Sequence, residues 1–368
     1  EISCSLVGSE MCIRDSTAAM PLIAAMTSCN NDEPKINDET EKPAITTGAY
    51  IVNTGNWGAN DGSIQWYDIE KGTASSDIYA ASNGKGIGDL QDLCVYGSKL
   101  YAVSSTSSKI EILDKEGKII KSMPLTTSDN KPVQPRFATA GDGYVFFTAY
   151  DGTVSKLDTL SQEIVSSVSV GTYPEGLSYT KGKVFVNISE YGKGNTVAVI
   201  DAKTMTKVKD ITVVLNPYTQ NIVGSDGFVY IVSNGNYAGK DGLDEKDYIY
   251  GTLQRINPDT YQVEELCNAS YIANKGDKMY ILYSEYYLPE RARCFVYDTK
   301  TGKETDFVKF SDIPNPGGIA VDPETEDVYI INQPYGALND VYVYDKNGNK
   351  KSQFEAGQYT TGIRFVTE

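Results

Sequence analysis

Tyr173-Pro174-Glu175-Gly176-Leu177, Gly182-Lys183-Val184-Phe185-Val186-Asn187 and Val197-Ala198-Val199-Ile200-Asp201-Ala202-Lys203-Thr204 are the three runs whose reading decides the fold. Each is short, rich in β-branched or aromatic residues and bounded by turn formers, which is strand patterning rather than a 3.6-residue helical period. A Gly-Lys turn joins the first run to the second, and the polar loop Ser189 to Asn195 joins the second to the third. Ala202-Lys203-Thr204 then turns the chain into an outer strand, Val208 to Val213. Four such strands make one small antiparallel sheet that cannot bury both faces alone, so it needs neighbours.

The unit recurs. An aromatic or aliphatic residue followed by Asp or Asn closes the third strand at Tyr67-Asp68, Leu113-Asp114, Leu157-Asp158, Ile200-Asp201, Ile256-Asn257, Tyr297-Asp298 and Tyr344-Asp345. The spacing, about 41 to 56 residues, is that of four-stranded propeller blades. The Asp side chain is expected to bond its own turn backbone and start the hairpin that Lys71-Gly72, Glu116-Gly117, Thr301-Gly302 and Asn347-Gly348 complete. The expected blades run from Tyr50 to Ile78, Asp89 to Leu125, Gln134 to Val170, Tyr173 to Val213, Asn216 to Leu266, Ala269 to Phe310 and Asn315 to Ala356. The fifth is lengthened by a polar insertion, Asn234 to Tyr250. No helix is expected anywhere in the repeats.

The two ends of the repeat region fit each other. Gly48-Ala49-Tyr50-Ile51-Val52-Asn53 matches the second strand of the other copies, so the first copy lacks its opening strand. Tyr359-Thr360-Thr361-Gly362-Ile363-Arg364-Phe365-Val366 matches the opening strands at Asn315 and Tyr173. The last strand is therefore expected to pair into the first blade, closing an all-β, seven-bladed propeller over residues 48–368 and removing the open edges.

Composition narrows the function. With 33 Lys and Arg against 49 Asp and Glu, the net charge is −16, which repels nucleic acid and anionic membrane. The chain has no histidine, which excludes His general bases, Ser-His-Asp triads and His-ligated metals. Its six cysteines have no metal-ligand spacing; Cys94, Cys267 and Cys294 lie in strands and read as buried free thiols, although Cys267 and Cys294 fall where a bridge between neighbouring blades could form. Asp241, Asp244 and Asp247 lack the Gly and terminal Glu of a calcium loop and read as solvated. No cofactor is expected.

Residues 1–16 share nothing with the repeats and resemble a translated sequencing-adapter fragment. Residues 17–28 are apolar and read as the end of a lipoprotein signal, with Cys29 as the acylated residue; Asn30-Asn31-Asp32-Glu33 and the polar stretch to residue 47 read as a tether. The expected location is therefore the outer membrane, held by the lipid alone, with a monomeric propeller at the cell surface or facing the periplasm.

In a propeller, the loops leading into the inner strands and the loops between second and third strands open on one face, where function concentrates. The residues expected to meet a ligand there are Trp57, Gln91, Arg136, Tyr150, Glu175, Tyr191, Asn234, Tyr237, Tyr286 and Tyr335. Aromatic faces supply apolar area at low entropy cost and amides fix orientation, a mixture that suits a bulky neutral or amphipathic ligand. Arg136, Glu175, Asp92 and Gln91 either line the channel or form a satisfied polar cluster between blades. The 27 Tyr against 10 Phe point the same way, although strand positions also favour Tyr.

The Pro-Glu-Gly-Leu opening, Gly-Lys-Val-Phe-Val-Asn and Val-Ala-Val-Ile-Asp-Ala-Lys-Thr resemble the YncE-like propellers, relatives of quinoprotein amine dehydrogenase-type repeats. Gly48 to Trp57, the lipid cysteine and the acidic tag resemble more narrowly the surface lipoproteins of the BtuG type. That resemblance implies a non-enzymatic protein that captures cobalamin or another corrinoid and passes it to a TonB-dependent outer-membrane transporter. Two other functions fit the same face: a calcium-assisted hydrolase or lyase of lactones or glycans using carboxylates such as Glu175, and a scaffold that grips a protein or glycan.

Overall fold

The computed structural model describes residues 44–368 apart from Trp57; Cys29 and the segments before residue 44 lie outside the described residues. Seven four-stranded sheets are present, each antiparallel and each ordered inner to outer. In the fourth blade the strands are Pro174–Thr180, Lys183–Ile188, Thr196–Asp201 and Thr206–Thr212. The seven sheets form a ring, and Thr360–Thr367 supplies the innermost strand of the first blade by pairing with Thr46–Asn53.

Alternation explains why the sheets stack. In the strand Lys183–Ile188, Val184, Val186 and Ile188 pack toward the third blade, while Phe185 between them packs toward the fifth. Both faces of every blade are apolar in this way, and the seven core clusters fall one at each of the seven blade junctions. A seam with a core on both sides of the first blade is a closed seam. Backbone bonds lock it at the ends, Ile45 N–H to the Glu368 carbonyl at 3.0 Å and Glu368 N–H to the Ile45 carbonyl at 2.9 Å. Thr360 Oγ1 adds a buried hydrogen bond to Asn53 Oδ1 at 2.7 Å.

The turn residue at the end of each third strand works as its chemistry suggests. Asp201 Oδ1 accepts from the N–H groups of Lys203 and Thr204 at 3.0 and 2.8 Å; Asp158, Asp298 and Asp345 do the same in their blades, and Asn257 does it in the fifth. These bonds hold the carboxyls of Asp158, Asp201 and Asp298 below the usual range, chiefly through the N–H groups of Ser161, Thr204 and Thr301. For Asp68 and Asp345 the largest cause is the side chain of Lys71 and of Asn349. A depressed folded-state pKa stabilises above the unfolded value, and the gain is lost as pH falls through the folded one. The melting temperature is therefore expected to hold above about pH 5 and to drop progressively below about pH 4, near the unfolded Asp value, in thermal scans against pH. Asp201→Asn should keep the neutral-pH melting temperature, since Asn257 fills the same role, and should blunt the acid loss.

One detail departs from the sequence reading. A six-residue helix, Ile78–Asn83, links the first blade to the second, capped by Asp77, which accepts from Tyr79 N–H, and ended by Gly84 at φ 66°. It is too short for a hydrophobic period to register. It delivers fully buried Tyr79, whose hydroxyl donates to Glu111 Oε2 at 2.8 Å. Cys94, Cys267 and Cys294 are free thiols, as the sequence reading expects, and no bridge joins Cys267 to Cys294; burial pushes all three up to about 12.

Candidate functional site at the channel mouth

Pairing between inner and second strands breaks register near the start of the inner strand, at Leu90/Asp92, Pro135/Ala138, Pro174/Leu177, Pro217/Asn221 and Pro316/Gly318. Proline has no N–H to give the ladder, so in four of these blades pairing weakens there. A bulge re-aims the side chains that follow it. Gln91, Tyr218 and Gly317, freed at these breaks, and Thr361, freed at a matching break in the closing strand, line a channel of about 990 Å³ together with Ser270, which precedes the regularly paired inner strand of the sixth blade. Just before the strand, Gln134, Tyr173, Asn216 and Tyr359 adopt left-handed backbone with φ between 51° and 63°, strain that recurs at the mouth. Gly176 is required by close approach, because a Cβ there would lie 2.3 Å from the Thr219 carbonyl oxygen.

The wall is uneven. Toward the first and seventh blades it is small, with Gly317, Gly318, Thr361 and Gly362; toward the fifth and sixth it is aromatic and polar, with Tyr218, Asn234, Tyr237, Tyr271, Glu285 and Tyr286. Glu285 is buried; its Oε1 accepts from Gly251 N–H at 2.7 Å and from the Tyr283 hydroxyl at 3.2 Å. Burial pushes its carboxyl up, opposed by those two donors and by the charge of Arg291. Arg291 itself lies 4.1 Å from the Tyr250 ring centre.

Beside the channel a buried polar cluster joins three blades. The Arg136 guanidinium donates from Nε and Nη2 to Glu175 Oε2 at 3.1 and 3.0 Å, and from Nη1 to Gln91 Oε1. Tyr150 covers it, ring centre 4.5 Å from the guanidinium carbon, and donates its hydroxyl to Glu175 Oε1 at 3.1 Å. Burial pushes the Glu175 carboxyl up, and Arg136 works against that. Asp92 does similar work one blade over: it accepts from Arg364 at 2.7 Å and from Ala138 N–H at 2.9 Å, tying the closing strand to the second and third blades.

Of the residues expected from sequence, Gln91, Asn234, Tyr237 and Tyr286 line the channel. Arg136, Tyr150 and Glu175 do not; their polar atoms are spent on one another, so the satisfied cluster holds for Arg136 and Glu175, while Gln91 and Asp92 both line the channel and bond into the polar network. Tyr191 and Tyr335 stand on the rim outside the channel, 79% and 94% exposed, and Trp57 lies outside the described residues. From Tyr150 the rings climb outward, Tyr150 to Tyr173 at 5.0 Å and Tyr173 to Tyr191 at 5.3 Å. All six strongly exposed tyrosines among the described residues, Tyr173, Tyr191, Tyr237, Tyr286, Tyr287 and Tyr335, belong to the loops of this face. Ser270, Gly317 and Thr361 were not singled out from sequence; aligning the position after each strand-opening residue, where Gln91, Arg136, Glu175 and Tyr218 also fall, would have found them.

A family profile described as a domain of unknown function, DUF5074, matches residues 47–362, almost the whole ring. The chain belongs to that family. No curated protein matches DUF5074 residues of this chain or any others in it. Among solved structures it is similar to a protein from Bacteroides uniformis provisionally named a 6-phosphogluconolactonase, at 12% identity and a TM-score of 0.61, covering 88% of this chain and 100% of that one. It is also similar to the hydrazine synthase of Kuenenia stuttgartiensis, at 14% identity and 0.58, covering 76% and 95%. The Pan2 WD40 domain of Neurospora crassa follows at 14% and 0.50, covering 74% and 80%. At such identities these likenesses extend the DUF5074 assignment to the propeller fold and no further.

Proposed function

We infer that this DUF5074 propeller is a non-enzymatic binding protein that captures a bulky amphipathic nutrient, a corrinoid, at its channel mouth and hands it to an outer-membrane transporter. The observation that carries the reading is the placement of the tyrosines: every strongly exposed one among the described residues rings the mouth of a channel of about 990 Å³ whose aromatic wall also bears Asn234 and Glu285, with Gln91 on another part of the lining. A corrin ring is flat, with a periphery of amides. Tyrosine faces suit the ring, and the Asn234 and Gln91 amides suit its peripheral amides, Gln91 through its NH2 because its oxygen is held by Arg136. Lipidation at Cys29 would tether the propeller at the membrane by way of the polar stretch that follows.

Isothermal titration of the purified protein with cyanocobalamin tests this, and absence of heat and of any spectral change at micromolar protein rejects the corrinoid. Tyr237→Ala and Tyr286→Ala, both in the channel wall, are expected to weaken binding by about 1–3 kcal/mol each, the range of buried aromatic anchors. Tyr335→Ala on the outer rim should weaken it less. If cyanocobalamin is silent and the protein instead opens a lactone or cleaves a glycan, the hydrolase reading replaces this one.

A further inference from the structure

The geometry points to a hard-cation site at the junction of the first two blades, formed by Asp89 with Ser104, Ser105 and Thr106. Asp89 is fully buried. Four of the other buried acids have a cation: Glu111 has Lys109 at 2.9 Å, Glu175 has Arg136 at 3.0 Å, Asp92 has Arg364 at 2.7 Å and Asp327 has Lys351. Asp322, also without a cation, leaves Oδ2 unpartnered but takes three hydrogen bonds at Oδ1, from the Thr46 hydroxyl and two backbone N–H groups, and Glu285 accepts from its two donors. Among the described residues Asp89 has no cationic partner, and its carboxylate receives one long bond, Thr106 N–H to Oδ2 at 3.4 Å. Its Oδ1 receives none.

Three hydroxyls share that condition. Ser104 Oγ, Ser105 Oγ and Thr106 Oγ1 are buried without a partner, and so they bond neither one another nor Asp89. The backbone brings them to the carboxylate: Leu90 pairs with Ser104, and Ser105 N–H donates to the Asp89 carbonyl at 3.2 Å. Four orphan oxygens on adjacent residues, without nitrogen or sulfur, are the donor set of an oxygen-loving ion such as sodium or calcium, not of a thiophilic metal. An ordered water would satisfy the hydroxyls and leave the buried charge unbalanced; a cation answers both. The net charge of −16 favours its approach. The site lies two residues before Gln91, where Gly62 N–H meets the Gly88 carbonyl at 2.8 Å, so the ion would pin this sector of the mouth whatever ligand the channel takes.

The purified protein, stripped with EDTA and held in tetramethylammonium chloride, is melted with added CaCl2, NaCl, KCl or MgCl2 at constant ionic strength. A saturable rise in melting temperature with calcium or with sodium, a smaller one with magnesium, and loss of the rise in Asp89→Asn are expected; which salt acts tells the divalent from the monovalent ion. Equal melting temperatures in all salts, an ordered water only, overturn the proposal, as does an undiminished rise in Asp89→Asn. Should Asp89→Asn not fold, Ser105→Ala keeps the carboxylate and should raise the half-saturating salt concentration several-fold, and an unchanged midpoint counts against the site.

Discussion

A chain ending at Gly357 is expected to show no cooperative unfolding transition. The missing segment, Thr360–Thr367, is the inner strand of the first blade. Without it, Thr46–Asn53 becomes an exposed edge, and two core clusters lose apolar cover, Ile363 and Phe365 at the seventh–first junction and Val366 at the first–second. Asp92 loses the guanidinium of Arg364 and stays buried. A closed ring shares its stability around the circle, so opening one seam exposes unpaired backbone and apolar surface together. Calorimetry and size-exclusion chromatography should show a broad, weak transition and association. A permuted chain in which residues 358–368 precede residue 44 through a short linker should recover a sharp transition, because it supplies the same strand from the other terminus.

Arg136→Ala is expected to cost about 3–5 kcal/mol, the penalty for leaving a buried carboxylate without its partner. Arg136 is 4% exposed and Glu175 2%, so water cannot replace the guanidinium, and the Tyr150 ring loses the cation beneath it. Replacing both charges, Arg136→Met with Glu175→Leu, should recover most of the loss in chemical denaturation, since an apolar pair of similar volume carries no desolvation penalty. The double-mutant cycle separates this from a binding role: a cluster that holds three blades together changes stability, while cyanocobalamin affinity in the refolded double variant should stay within a few-fold of the parent.

The ring was readable because what specifies it is local and repeated. The Asp or Asn at each third-strand end bonds its own turn, so a one-residue mark announces a four-strand unit, and the missing opening strand before Gly48–Asn53, matched by Tyr359–Val366, announces closure. The site was readable only to the level of which face carries it. Tyr237 and Tyr335 look alike in sequence, both in loops between second and third strands, yet one lines the channel and the other stands outside it, because the path of each loop decides direction. Arg136 and Glu175 lie 39 residues apart; their matching places at the blade openings suggest either a channel lining or a satisfied cluster, and only the packing of the blades decides between them. The Ile78–Asn83 helix escaped notice because its cap, Asp77, follows a strand of polar residues that leaves no period to read.

Hydrogen exchange with and without cyanocobalamin tests the central claim most directly. Capture at the channel mouth predicts slowed exchange in residues 216–221, 234–251 and 284–288, and no change in the Asp-capped turns on the opposite face. Unaltered exchange throughout, or protection confined to the turns at Asp158, Asp201 and Asp298, would contradict it.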